Sequence, residues 1–141
     1  MPNRIAAATG AVLTVAVLGA CSAEPHTQLS STASVTVDGH DAKIQVVRCG
    51  QLGWDRTIDI GGDFSGATAV IDQSAHPITA TSVHIKNLGG FTGMYSPGGG
   101  GGGATASLNG DTFTIAGSAN GFKTDKPGEP ATADFKITVT C

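Results

Sequence analysis

Residues 33–141 consist largely of short runs in which apolar and polar side chains alternate. A period of two is the pattern of a β-strand with one buried face. It is clearest in residues 133–141, where Phe135, Ile137 and Val139 alternate with Lys136, Thr138 and Thr140. Residues 33–37, 44–49, 56–60, 67–71, 82–88, 91–95, 104–108 and 112–117 read in the same way. On 82–88, Val83, Ile85 and Asn87 fall on one face. The runs are rich in Val, Ile and Thr, whose branched side chains suit a pleated, half-buried surface. Asp38-Gly39, Gly61-Gly62, Gly89-Gly90 and Asn109-Gly110-Asp111 supply turn signals between them, and Asp38-Gly39 makes a hairpin of 33–37 and 44–49. This spacing predicts an all-β fold, a small single-domain antiparallel sandwich or partly open barrel. At most one helical turn is expected there, near 122–130, because Pro127 and Pro130 oppose anything longer.

Composition agrees and narrows the functional classes. Length allows one domain. The formal charge of −3 offers no electrostatic footprint for nucleic acid and no polybasic membrane patch. Charged residues are 13% of the chain, against about 25% in ordinary soluble domains. With 21 glycines and 5% aromatics, the core must be built mostly from small side chains. Such a core gains from a covalent staple.

The first twenty residues do not belong to this pattern. Arg4 precedes sixteen uncharged residues, 5–20, that end in small side chains. This is the layout of a secretory signal peptide, and the run is shorter than the ~20 apolar residues of a membrane span. It closes on Leu18-Gly19-Ala20-Cys21, which has the form of a bacterial lipobox. The thiol of Cys21 takes up a diacylglyceryl group. Leu18, Gly19 and Ala20 fit the peptidase that cuts before Cys21, and the freed amine is then open to acylation. The expected organisation is a removed leader (1–20), a lipidated N-terminus with a flexible polar linker (21–34) and a β domain (35–141). The linker carries Pro25 and several Ser and Thr hydroxyls that are candidate sugar acceptors.

The chain has three cysteines. With lipid on Cys21, Cys49 and Cys141 remain as an even pair in an oxidising compartment, and a disulfide between them is expected. It would close a loop of about 90 residues and tie the end of the last strand to the second. No CxxC or neighbouring His cluster points to a redox or metal role for the pair.

Chemistry is otherwise hard to find. Pro97 leads into six glycines, 98–103. A phosphate-binding loop would need a helix N-terminus and usually a Lys after it, so this run reads as a flexible hairpin loop. No G-x-S-x-G or H-E-x-x-H motif occurs. His26, His40, His76 and His84 are scattered and read as solvated. Asp55, Asp59 and Asp63 lack the ligand alternation of a calcium loop and read as surface groups. Trp54, Phe91 and Tyr95 read as core rather than as the lining of a cleft. No catalytic residue, metal site or cofactor is expected.

Four stretches resemble the mycobacterial 19-kDa lipoprotein antigen (LpqH-like) family. They are the lipobox at 18–21; Val35-Thr36-Val37-Asp38-Gly39-His40-Asp41 with Val46-Val47-Arg48-Cys49; residues 104–119; and Phe135-Lys136-Ile137-Thr138-Val139-Thr140-Cys141. Together with the connecting strands they cover nearly all of the mature chain. The linker is shorter than the family's Ser/Thr-rich tract, and the six-glycine run departs from its pattern. The resemblance implies a non-enzymatic surface antigen of the cell envelope. It would be lipid-anchored on the extracytoplasmic face of the cell membrane. Its partners would be the membrane, the lipoprotein-processing enzymes and host Toll-like receptor 2. Only Cys21 takes over a functional role from the family, while Cys49 and Cys141 match its further cysteines. The alternative reading is a periplasmic carrier for a small apolar ligand or lipid inside the β domain.

Overall fold

The computed structural model describes residues 32–100 and 103–141. The leader, Leu18, Gly19, Ala20, Cys21, His26 and most of the linker lie outside the described residues. Ten strands are present among the described residues: β1 (Ala33–Val37), β2 (His40–Ile44), β3 (Val47–Leu52), β4 (Asp55–Gly61), β5 (Gly66–Asp72), β6 (Thr79–Leu88), β7 (Phe91–Tyr95), β8 (Thr105–Asn109), β9 (Thr112–Lys123) and β10 (Lys126–Thr140). All ladders are antiparallel, in the order β2-β1-β10-β9-β7-β6-β5-β4-β3, with β8 also on β9.

Two pairs of strands are each one line of chain. β2 and β3 run in the same direction with only Gln45 and Val46 between them; β2 pairs with β1 and β3 with β4. β7 and β8 also run alike, both against β9: Met94 lies opposite Asn120 and Thr105 opposite Ala116. Counted this way the sheet is an eight-stave up-and-down meander in which β10 returns to β1. One circuit advances the register by about ten residues, the stagger that a tilted eight-strand barrel requires. The fold is therefore the partly open barrel rather than the sandwich.

This stagger corrects the expected single strand 44–49. To close the ring, the chain must leave β1 after Ile44 and join β4 at Val47, so the ladder breaks between them. β6 departs from simple alternation for a related reason. Its register shifts twice, opposite Val70/Ile71 and between Ile85 and Leu88. At the second shift Asn87 takes φ 47 and is exposed, and Leu88 rather than Asn87 turns inward. Residues 122–130 contain no helical turn: β9 runs to Lys123, Thr124 and Asp125 make the turn, and β10 begins at Lys126. At the Asp38-Gly39 turn both residues have positive φ, 50 and 78, the two-residue geometry that matches strand twist.

The inward faces of the staves meet as one cluster. Alanines (Ala33, Ala67, Ala69, Ala80, Ala119, Ala133) alternate around it with Phe91, Phe113, Phe135 and Tyr95. Small and large side chains share the space that a barrel of this size leaves to be filled. Tyr95 and Phe135 stack tilted, with ring centroids 6.3 Å apart. Phe113 is 2% exposed, and the Arg56 guanidinium lies 5.8 Å from its ring centroid, a cation–π contact. Phe113→Ala should cost about 3–5 kcal/mol, from the lost burial of the ring and the cavity left behind; urea unfolding of the purified domain measures it.

Glycine sets the tightest approach in the wall. Gly93 and Gly121 are register partners on β7 and β9. A Cβ at Gly121 would collide with the Thr92 carbonyl oxygen and the Gly93 Cα, both backbone atoms that cannot swing aside. Gly121→Ala should therefore destabilise the domain by about 1–3 kcal/mol. Hydrogen exchange would show the loss as earlier opening of the β7–β9 ladder.

Candidate functional site

The disulfide lies beside the point where the described chain enters the barrel. β1 begins at Ala33, twelve positions after Cys21. Ala33 pairs with Val139, and two residues further on Cys141 is joined to Cys49 by a disulfide. The two Cα atoms are 6.0 Å apart across a sequence separation of 92. The Cys141 N–H donates to the Asp111 carbonyl at 3.0 Å, which fixes the chain end beside the β8–β9 turn. Cys49 is on β3, the third strand rather than the second, because the expected single strand is divided.

The location of the bridge is informative. Among the described residues β3 has a ladder only with β4, at Cys49 opposite Ile58. Its other edge carries no ladder among the described residues, where β1 begins at Ala33, opposite Ile44 of β2. The disulfide ties β3 to the residue that follows β10, two elements with no ladder between them among the described residues.

Elsewhere the outer surface is polar and its groups are dispersed. Arg48, Asp59, Thr68 and His84 are successive register partners across β3, β4, β5 and β6. With Lys86 and Asp63 they line an open groove of about 240 Å3. Thr68 donates its hydroxyl to Asp59 at 2.9 Å. A hydroxyl committed to a carboxylate in this way is not set to pass its proton to an imidazole. A second groove, at the rim that carries the β1–β2, β6–β7 and β9–β10 turns, is lined by Asp38, His40 and Lys123, with Lys123 Nζ 3.1 Å from Asp38.

Asp72 is held below the usual carboxylate range, first by the Ser74 hydroxyl (2.6 Å) and then by the Ser74 N–H (2.8 Å). A lowered folded-state value means that its stabilising contribution is present above the ordinary carboxylate range. It is lost as pH falls through the lowered value.

Asp55, Asp59 and Asp63 are spread along β4 and the turn after it. No group of three or more His, Cys, Asp or Glu is placed to hold a metal among the described residues. No polar or charged residue there is buried either. The inward side chains form one continuous apolar cluster, which leaves the interior occupied by the protein's own core.

Two sequence expectations change. The glycine run is not a hairpin loop: it is an excursion between β7 and β8, which share β9. Asn120 Nδ2 donates to the Gly99 carbonyl at 3.0 Å, and the Gly99 N–H donates to the Ser96 carbonyl at 3.1 Å. Phe91 and Tyr95 are buried, but Trp54 is 69% exposed. It stands on the two-residue turn between β3 and β4, past the last ladder pair, Leu52 and Asp55. The signal was available in Leu52-Gly53-Trp54-Asp55, since a glycine between two strand-ending residues marks a turn and not a stretch of core.

Comparison with known proteins bears on the whole of this domain. Residues 26–141 match the family model described as Mycobacterium 19 kDa lipoprotein antigen. The chain belongs to the Mycobacterium 19 kDa lipoprotein antigen family. Its relatives in that lineage carry lipoprotein names. One from Mycobacterium indicus pranii is 60% identical over 141 residues, covering 100% of both chains. LppE of Mycobacterium tuberculosis is 35% identical over 142 residues, again 100% of each chain. Lipoprotein LpqH of Mycobacterium avium is 36% identical over 108 residues, 76% of this chain and 66% of its own length. A lipoprotein antigen family is not an enzyme family, and it associates with membrane in the cell envelope.

Proposed function

We propose that this lipoprotein is exported, cut between Ala20 and Cys21, acylated on Cys21 and held on the extracytoplasmic face of the cell membrane. There it displays the barrel, and its acylated N-terminus is a ligand for host Toll-like receptor 2. The lipoprotein-processing enzymes and the membrane are its obligate partners.

The observation that carries this reading is the fate of the cysteines. Of three in the chain, Cys49 and Cys141 are consumed by the disulfide. Cys21 is left over, and it directly follows a short apolar run and Leu18-Gly19-Ala20. The surface grooves are open and bordered by charged side chains, and the core is filled by its own side chains, so an apolar-ligand carrier has less support.

Receptor recognition is tested on reporter cells expressing Toll-like receptor 2. Protein extracted from the membrane should activate them. The Cys21→Ala protein and enzymatically deacylated protein should lose activity by more than about tenfold, since the buried acyl chains dominate the binding energy. Equal potency of the acylated and unacylated forms would overturn the receptor reading.

A further inference from the structure

The β3–β4 turn holds two large apolar side chains in solvent. Leu52 is 84% exposed and Trp54 69%. The turn itself is braced. Gly53 takes φ +60, the Gln51 side-chain amide donates to the Gly53 carbonyl at 2.8 Å, and the Gln73 N–H donates to the Trp54 carbonyl at 2.9 Å. A fixed backbone thus presents a leucine and an indole on either side of Gly53 at the tip of a hairpin.

Their place relative to the chain entry gives this a meaning. Ala33 pairs with Val139, Cys141 is bonded to Cys49, and from Cys49 β3 runs on toward Leu52. β1 enters from the rim toward which β3 leads, so the turn projects on the side where the N-terminal segment joins the barrel. Twelve positions between Cys21 and Ala33 reach at most about 40 Å when extended and roughly 20 Å as a coil. A lipid on Cys21 therefore keeps this rim close to the bilayer. Tryptophan, with an apolar body and one N–H donor, is the side chain best suited to the membrane–water interface.

We infer that Leu52 and Trp54 insert into the interface of the same bilayer that holds the acyl chains, and so set the orientation in which the barrel is displayed. The inference rests on the proposed acylation of Cys21. Asp55, Asp72 and Asp111 also stand at this rim and give no attraction to anionic lipid. The contact is apolar and depends on the tether, which raises the local concentration of the bilayer. Phe64, 89% exposed, lies on the turn at the other end of β4 and stays in water.

The chain contains one tryptophan, so its emission reports on this turn directly. Full-length acylated protein is reconstituted into phosphatidylcholine vesicles with or without bromine on the lipid chains. Emission should shift to the blue, and bromolipid should lower it about twofold or more, because a short tether keeps the effective concentration in the millimolar range. The Cys21→Ala protein mixed with the same vesicles should show neither change. In a Trp54→Phe, Phe64→Trp variant the reporter should remain unquenched by bromolipid and fully accessible to iodide. Protein that floats with the vesicles while Trp54 stays open to iodide overturns the insertion and leaves the acyl anchor standing. Protein that does not float overturns both. A blue shift that grows with protein concentration in the absence of vesicles would assign the turn to self-association and overturn the insertion.

Discussion

Cys21→Ala, expressed behind a leader that is cut without a lipobox, should move the protein from the membrane fraction to the soluble fraction almost completely. Each buried acyl CH2 contributes about 0.8 kcal/mol, a single chain gives marginal and reversible binding, and two or more hold firmly. The rest of the molecule offers little to replace them. Net charge is −3, and no helix of the described residues is long and apolar enough to cross a membrane. The Leu52–Trp54 turn adds orientation but depends on the tether to act. Fractionation of cells expressing each form, followed by immunoblotting, measures the effect. Because Cys21 lies outside the barrel, the variant should keep the melting temperature of the processed domain, which separates loss of the anchor from loss of the fold.

The second large effect concerns the fold. Replacing Cys49 and Cys141 together by serine should cost about 4–5 kcal/mol in the chain-entropy model for a loop of this length. A domain of this size has about 5–15 kcal/mol in all, so the melting temperature should fall by roughly 20–30 °C. The structure adds a direction to that number. Among the described residues β3 has a ladder on one side only and the bridge holds it from β10, so hydrogen exchange should show the loss first in β3 and at the β10 terminus. The β9–β10 hairpin, which shares a register from Thr112–Thr140 to Phe122–Pro130, should remain protected. Thermal melts with and without reductant give the same comparison without mutation. A shift of only a few degrees would mean that the ladders alone close the barrel.

Much of the fold is legible in the sequence because local rules and tertiary demands agree there. Phe135, Ile137 and Val139 alternate strictly, and all three are buried. Asp38-Gly39 and Asn109-Gly110 mark turns that the structure contains. What escapes the sequence is decided by the ring as a whole. Nothing local in Ile44 to Val47 records that the chain must change partners there; the break follows from the stagger accumulated around eight staves. Asn87 obeys alternation in sequence, yet a register shift turns it out and Leu88 in. The six-glycine run announces a loop, but whether it joins a hairpin or interrupts a strand depends on β9 serving both β7 and β8. Trp54 shows a different limit. Its apolar character suggests burial, and only its position past the last ladder pair puts it in solvent. The candidate site divides likewise. The proposed lipobox can be read because processing enzymes act on sequence, whereas the role of the disulfide between β3 and the end of β10 needs the topology.

Intact mass of the protein extracted from the membrane tests the central claim most directly. The chain should begin at Cys21, carry the added mass of a diacylglyceryl group with or without a further acyl chain on that residue, and gain two hydrogens on reduction as the Cys49–Cys141 bridge opens. A mass that retains residues 1–20, or a mature chain with no lipid on Cys21, would contradict it.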